Sequence, residues 1–291
     1  MKALLPAEVE IKKPIVDLAV QFDKLLGKYR GNLGFQVVMC PVDLSDYLLG
    51  VAHQVDYLNL LRKEADGALF RVSRKRKLQG TPLEFVGDFF IKHTPKEGVY
   101  IVIAFLNNEI WVNGVLWLLE RQMPPLAFPF LSQEELQEVI VTMGSTQESN
   151  KIFVTSFSSR GKTYKARREW EEEGFTLNEA FETAMEDEGR ISSVNIKVAK
   201  EPPRIITEGN MSVKCNFVCK RGAALFAQTA LPKMVTMAAV KFSMLRGRSR
   251  EYTPNNDSRP IVLKYKTDVF PDLEANKVFI NTLRKLSDSS C

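Results

Sequence analysis

Lys-Ile-Phe-Val-Thr-Ser-Phe-Ser-Ser-Arg-Gly-Lys-Thr-Tyr-Lys-Ala-Arg-Arg-Glu-Trp, residues 151–170, is the stretch on which the reading of this chain turns. Its first seven residues mix β-branched and aromatic side chains with small polar ones, as a strand does. A basic loop with Gly161 follows, and the residues from Thr163 to Glu173 then predict a helix. In that arrangement Lys162, Lys165, Arg167 and Arg168 crowd the first turns, while Glu169, Glu171, Glu172 and Glu173 stand at the far end. This order opposes the helix dipole, which favours acids first and bases last by about 0.3–1 kcal/mol per charge. A helix charged in reverse needs another reason, and an anion bound at its start supplies one.

The same loop invites comparison with a Walker-type phosphate loop, which needs glycine, four residues, then Gly-Lys-Thr between a strand and a helix. Gly161-Lys162-Thr163 is present, but Ser156 stands where the first glycine belongs. Asp268 is a poor match for the magnesium partner further along. A nucleotide-dependent enzyme built on residues 156–163 is therefore the third reading. A simpler anion cradle from Arg160, Lys162 and Thr163 ranks above it.

Two further basic clusters stand apart from the loop. Arg71, Arg74, Lys75, Arg76 and Lys77 lie on or just after a strand, and a run charged on both strand faces cannot be buried. Arg246, Arg248 and Arg250 follow a helix that ends near Leu245, where dipole and capping rules place cations anyway. Tyr164, Trp170 and Tyr252 sit among the basic residues, where they can stack on unpaired bases or pack inward.

Outward from this stretch the chain alternates irregularly between strand and helix patterns. Pro14 opens an amphipathic helix with Ile15, Leu18, Phe22, Leu25 and Tyr29 on one face, and Asn32–Cys40 reads as a strand. Asp43 caps a helix whose stripe runs through Leu44, Leu48, Val51, Val55 and Leu58. Strands are predicted at Ala68–Leu78 and Phe85–Lys92, then a hairpin of Val99–Phe105 and Ile110–Asn113 turning at Asn107-Asn108. Ser132 with Glu135, and Thr176 with Glu179, have capping-box spacing. Strands at 190–199, 204–208 and 211–219 follow, the last two joined at Gly209-Asn210. A helix then starts near Leu231 and Pro232, and a strand at Pro260–Tyr265 precedes a helix at Pro271–Leu286.

Without steady strand–helix alternation, α+β is the class that fits: two lobes of mixed, largely antiparallel sheet with packed amphipathic helices. Pro124, Pro125 and Pro129 make the best connector, so the lobes are expected at 1–130 and 131–291 with the boundary within 124–150.

A formal charge of +5 permits nucleic acid without demanding it. Four scattered cysteines point to a reducing intracellular compartment, cytoplasmic, or nuclear in a eukaryotic cell. Cys215 and Cys219 lack the further ligands of a zinc site, and no metal or cofactor is expected. His53 and His93 are the only histidines, which leaves little room for Ser-His or Cys-His catalysis. Val99–Leu119 is apolar enough to suggest a membrane span, but Asn107, Asn108, Glu109 and Asn113 interrupt it. The leading expectation is a non-catalytic protein that binds DNA or RNA through phosphates. Its contact set is Arg160, Lys162, Thr163, Lys165, Arg167 and Arg168, supported by Arg74, Arg76, Arg246, Arg248 and Arg250. The second is a scaffold subunit docking a protein partner through the apolar 99–130 region.

Overall fold

Strand Asn32–Met39, near the start of the chain, runs between strands from the two halves of the sequence and joins them into one sheet. This is seen in a computed structural model, described for residues 2–3, 10, 12–28, 31–52, 57–78, 81–106, 108–122, 125–145, 150–161, 165–169, 174–200 and 204–248. In chain order the first elements are β1 (Lys2–Ala3), α1 (Ile15–Lys28), β2 (Asn32–Met39), α2 (Leu44–Ala52), β3 (Leu58–Glu64), β4 (Gly67–Leu78), β5 (Thr81–His93) and β6 (Val99–Leu106). A continuous helical segment follows, formed by α3 (Asn108–Ile110), a π-helical stretch at Trp111–Leu116 and α4 (Trp117–Arg121). Then come α5 (Gln133–Gly144), β7 (Asn150–Arg160), β8 (Lys165–Glu169), α6 (Leu177–Glu186), β9 (Arg190–Lys200), β10 (Arg204–Ser212), β11 (Asn216–Arg221), α7 (Ala223–Gln228) and α8 (Ala230–Arg248).

The sheet order is β3-β4-β5-β6-β2-β11-β10-β9-β7-β8, antiparallel throughout, with β1 added parallel to β5. The α+β class is therefore what the structure has. The described residues up to Arg248 lie within one compact unit, Met1–Ser249, and the β2–β11 pairing carries the sheet across the proline-rich connector. Gln36, buried in β2, reinforces that pairing. Its Nε2 donates to the Lys214 carbonyl at 2.7 Å, and its Oε1 accepts from Asn216 Nδ2 at 3.2 Å.

Strand alternation gives the sheet two apolar faces in its first half. Leu33, Phe35, Val37 and Met39 of β2 face one layer, where Leu18 and Phe22 of α1 meet α5, α6, α7 and α8. Val38, Val102, Phe70 and Phe89 face the other, against Leu44 and Leu48 of α2 and Trp111, Val115 and Leu118. This second layer stops at Val218 of β11, so the face of β10, β9, β7 and β8 beyond it is polar. Among the described residues no helix is long and apolar enough to cross a membrane.

Local chemistry explains the helix starts. Asp43 Oδ1 accepts the Asp46 amide at 2.9 Å, and both capping boxes form, Ser132 with Glu135 and Thr176 with Glu179. Each satisfies amides that the helix itself leaves without partners.

Several expectations are corrected. The α2 helix stops at Ala52, and Leu58 begins the edge strand β3 instead of closing the helical stripe. The predicted Val99–Asn113 hairpin is one strand followed by helix, because Ile110, Trp111, Val115, Leu118 and Leu119 recur at helical spacing and all are buried. Trp111 lies on Gly34 so closely that a Cβ there would come within 2.6 Å of the indole. The turn placed at Gly209-Asn210 falls instead at residues 213–215, with Cys215 in the left-handed region at φ 53°. Gly209 is inside β10 because a Cβ would come within 2.6 Å of the Phe217 ring and the Val218 carbonyl. The predicted helix at 163–173 is absent over the part that is described: Lys165–Glu169 is strand β8, paired with β7. Helix α8 continues through Gly247 to Arg248. Helix α7, between β11 and α8, is an addition to the sequence reading. The strand and helix predicted at 260–286 lie outside the described residues.

Candidate phosphate-binding surface

Residues 156–160 belong to β7, paired on one side with β8 and on the other with β9, where the register shifts between Ser158 and Ser159. Their amides therefore do not wrap an anion, and no helix dipole stands behind Lys165, Arg167 and Arg168. The strand–loop–helix frame of a phosphate loop is replaced by a β-hairpin. Lys162, Thr163, Tyr164, Trp170 and His53, together with Arg250 and Tyr252, lie outside the described residues.

The cations expected to act together are dispersed, and many already have partners. Arg168 binds Asp187 at 2.8 Å, and Arg167 pairs with Glu169 two residues on. Arg71 holds the buried Asp88 carboxylate with two bonds of 2.7 and 3.0 Å. Arg74 donates to the Asn113 carbonyl at 2.7 Å, and its guanidinium lies 3.8 Å from the centre of the Trp117 ring, so it is built into the helical segment over the sheet. Arg246 reaches Glu97 at 2.7 Å. The backbones of Arg76 and Arg248 end β4's charged run and α8, far from β8 in the sheet order.

What the fold does gather is a different set. Arg160 of β7 stands directly opposite Arg190 of β9, and on its other side opposite Lys165 of β8. Like charges facing each other across strands are destabilising, and Glu134 lies near enough to feel the Arg190 charge. Below this row the open face is lined with hydroxyls and amides. Ser158 pairs in register with Arg167 and Ser193, and Ser193 with Ser212. One row further, Asn195 Nδ2 donates to Ser156 Oγ at 2.6 Å and Asn210 Nδ2 to Asn195 Oδ1 at 3.0 Å.

Two concavities of about 290 and 380 Å³ lie on this face; a third, of about 470 Å³, lies at strand ends beside Asp23 and Leu26 of α1, and a fourth, of about 840 Å³, at strand ends beside the start of α5 and the end of α6. Shared cations link them: Arg167 lines the first and second, Lys220 the first and third, Arg160 the second and fourth. Lys200, Arg204 and Arg221 surround the third, and Arg190 and Lys214 line the fourth. Eight basic residues thus line the track against five acidic ones. Two of those acids pair with cations of the track itself, and two others bond to neighbouring polar groups. Asp23 accepts the Ala223 and Ala224 amides at 2.7 and 2.9 Å, Glu208 faces Lys220 at 3.3 Å, and Glu169 is paired with Arg167. Glu134 accepts from Ser132 Oγ at 2.7 Å, and this bond, its backbone bond and the nearby Arg190 charge hold its carboxyl below the usual range. Among the described residues Arg160, Lys200, Arg204 and Arg221 have no ion-pair partner.

Sequence reasoning missed Lys200, Arg204, Arg221 and Arg190 because they come singly from different strands. The signal available was a cation at a strand end, repeated on successive strands.

The apolar 99–121 region fills the core, with Trp111, Val115, Leu118 and Leu119 at most 1% exposed. What remains apolar and exposed nearby is Val112, and Phe130 beside the largest concavity with Met185. The thiols of Cys215 and Cys219 are buried, and burial pushes both far up from their ordinary value, so neither is a nucleophile or a ready ligand. Among the described residues no three histidine, cysteine or carboxylate side chains cluster to hold a metal ion. No protein-family model matches the chain, and no curated protein matches it.

Proposed function

We propose that this chain binds an extended polyanion, a nucleic acid, through its phosphates, across the polar face of β11, β10, β9, β7 and β8 and around the ends of these strands. The observation that carries this reading is the linked track of concavities whose shared members are Lys220, Arg167 and Arg160. Arg190 and Lys200 are the first and last residues of β9, about 33 Å apart at the usual strand rise, room for several phosphates of one strand. Arg204, Arg221 and Lys200 take one end of the segment and Arg160 and Arg190 the other. The Ser and Asn side chains between them offer neutral donors to sugar and phosphate oxygens. This replaces the helix-start cradle with side chains projected from a sheet, while keeping charge neutralisation as the mechanism.

Salt titration of binding to single-stranded DNA and RNA, with heparin alongside, tests the reading. Affinity should fall steeply with salt, and a variant neutralised at Arg160, Arg167, Lys220 and Arg204 should show a shallower slope. Absence of binding at about 50 mM salt, where phosphate-driven association is strong, overturns it. So does a slope unchanged by the fourfold variant.

A further inference from the structure

A cavity of about 400 Å³ lies between the start of α1, the end of β5 and the first turns of α8. Its walls are largely apolar, with Ile15 and Val16 from α1, Ile101 from β6, Ala227 from α7 and Leu231 and Val235 from α8, and its rim holds Asp66, His93, Thr94, Lys96 and Thr236. Into this wall β5 projects Lys92, whose side chain is only 2% exposed. Its Nζ pairs with Asp66, a carboxylate that is itself half exposed. His93, the next residue, also borders the cavity; its Nε2 lies 3.0 Å from Asp43 Oδ2 without forming a hydrogen bond, and its ring packs edge-on against Tyr100.

A lysine ammonium has three donors. Asp66 is the one partner Lys92 has among the described residues, and it accepts one of them. Removing a charge from water is costly unless it is paired and its remaining hydrogen-bonding capacity is met. A largely apolar cavity with one buried cation at its edge, bonded to a single half-exposed carboxylate, matches the general form of a small-molecule site, in which few polar groups fix the ligand's orientation. Its volume lies near the low end of the roughly 300–1,000 Å³ usual for such sites, which limits the ligand to a short body.

We propose that this cavity binds a small amphipathic monocarboxylate, with the carboxylate on Lys92 Nζ and the hydrocarbon body against Ile15, Val16, Ile101 and Leu231. The cavity shares no lining residue with the polyanion track, so the two can be tested separately.

The test is calorimetric titration of the full chain with octanoate and, separately, octan-1-ol, followed by the same titrations of Lys92→Met and Thr236→Trp. Thr236 is exposed at the cavity mouth, so a tryptophan there blocks entry while leaving Lys92 in place. Octanoate should bind saturably to the wild type and more tightly than octan-1-ol. Lys92→Met should weaken octanoate by about tenfold or more, the worth of a charge-assisted bond, and leave octan-1-ol unchanged. Thr236→Trp should weaken both. Should Lys92→Met fail to fold, the tryptophan variant and the comparison of the two wild-type titrations decide. No octanoate binding to the wild type, equal affinity for the two probes, or octanoate binding unaffected by Thr236→Trp each overturns the assignment.

Discussion

Replacing Arg160 by serine should make the protein more stable and a poorer ligand for nucleic acid. Arg160 and Arg190 face each other across β7 and β9, and both line the largest concavity. Directly opposed like charges cost about 0.2–1 kcal/mol per pair, with Cβ atoms about 5 Å apart. That separation lies inside the Debye length of about 10 Å at 0.1 M salt but outside the 3 Å or so at 1 M. Arg160→Ser should therefore gain about 0.2–1 kcal/mol at low salt, and the gain should vanish near 1 M. Serine suits the site, which already holds Ser158, Ser159, Ser192 and Ser193. In the binding assay, losing one phosphate contact should reduce the salt slope by about 0.7 on a single strand. Urea denaturation at the two salt concentrations, with anisotropy titrations of a labelled oligonucleotide, reads both effects. If Arg160→Ser loses stability at low salt, the row is not repulsive. If stability rises while the binding slope stays unchanged, Arg160 does not contact a phosphate.

Gly34→Ala should cost about 1–3 kcal/mol, the usual range for overpacking, because the new methyl meets the Trp111 indole at 2.6 Å; chemical denaturation checks it. For Glu135, burial raises the carboxyl pKa, but the Lys241 side chain and the Ser132 amide lower it more, leaving it below its ordinary value. Its contribution is thus complete above the ordinary carboxylate range and is lost as pH falls through the lowered folded value. Glu135→Gln should cost about 1 kcal/mol at neutral pH and progressively less in acid, as read by melts across a pH series. Cys215 and Cys219 should resist thiol reagents in the native state and react on unfolding, since burial disfavours both thiolates; a timed thiol assay with and without denaturant decides.

Much of the first layer was legible because its signals are local. Leu18 and Phe22 lie one helical turn apart, and each capping box needs residues only three positions apart. What failed were readings that depend on partners distant in sequence. Lys165–Glu169 has the charge of a surface helix, yet β7 offers it an edge, and a short charged strand is what an exposed sheet edge tolerates. Gly209-Asn210 has hairpin chemistry, but Phe217 across the ladder needs the missing Cβ. The single sheet depends on β2 pairing with β11, about 180 residues away along the chain, and no local pattern encodes that. The candidate surface was half legible. Arg160, Arg167 and Lys165 were named, whereas Lys200, Arg204, Lys220, Arg221 and Arg190 enter only when β9, β10 and β11 are laid side by side.

The position of each cation in the sheet separates two explanations for the charge. At one edge, β3 has Arg62 bound to Glu64 at 2.8 Å and Lys63 paired with Asp46. At the other, β8 has Arg167 paired with Glu169 and Arg168 with Asp187. Charge on both edges is explained by the need to keep an open strand from recruiting another chain, and its local pairing makes it cheap. Strands β7, β9 and β10 are interior and need no such protection. Yet they are the ones that place Arg160, Lys200 and Arg204 at their ends, without an ion-pair partner among the described residues. Edge protection cannot account for those three, and neither can stability, since Arg160 opposes Arg190 and Lys200 opposes Arg204 in register. The two facing pairs lie at opposite ends of β9, so an anion that met both would have to run the length of that strand, about 33 Å at the usual rise. The neutralised variants that matter most are therefore those at the interior strands, and a binding defect produced only by changes in β8 would return the charge to its edge-guarding role.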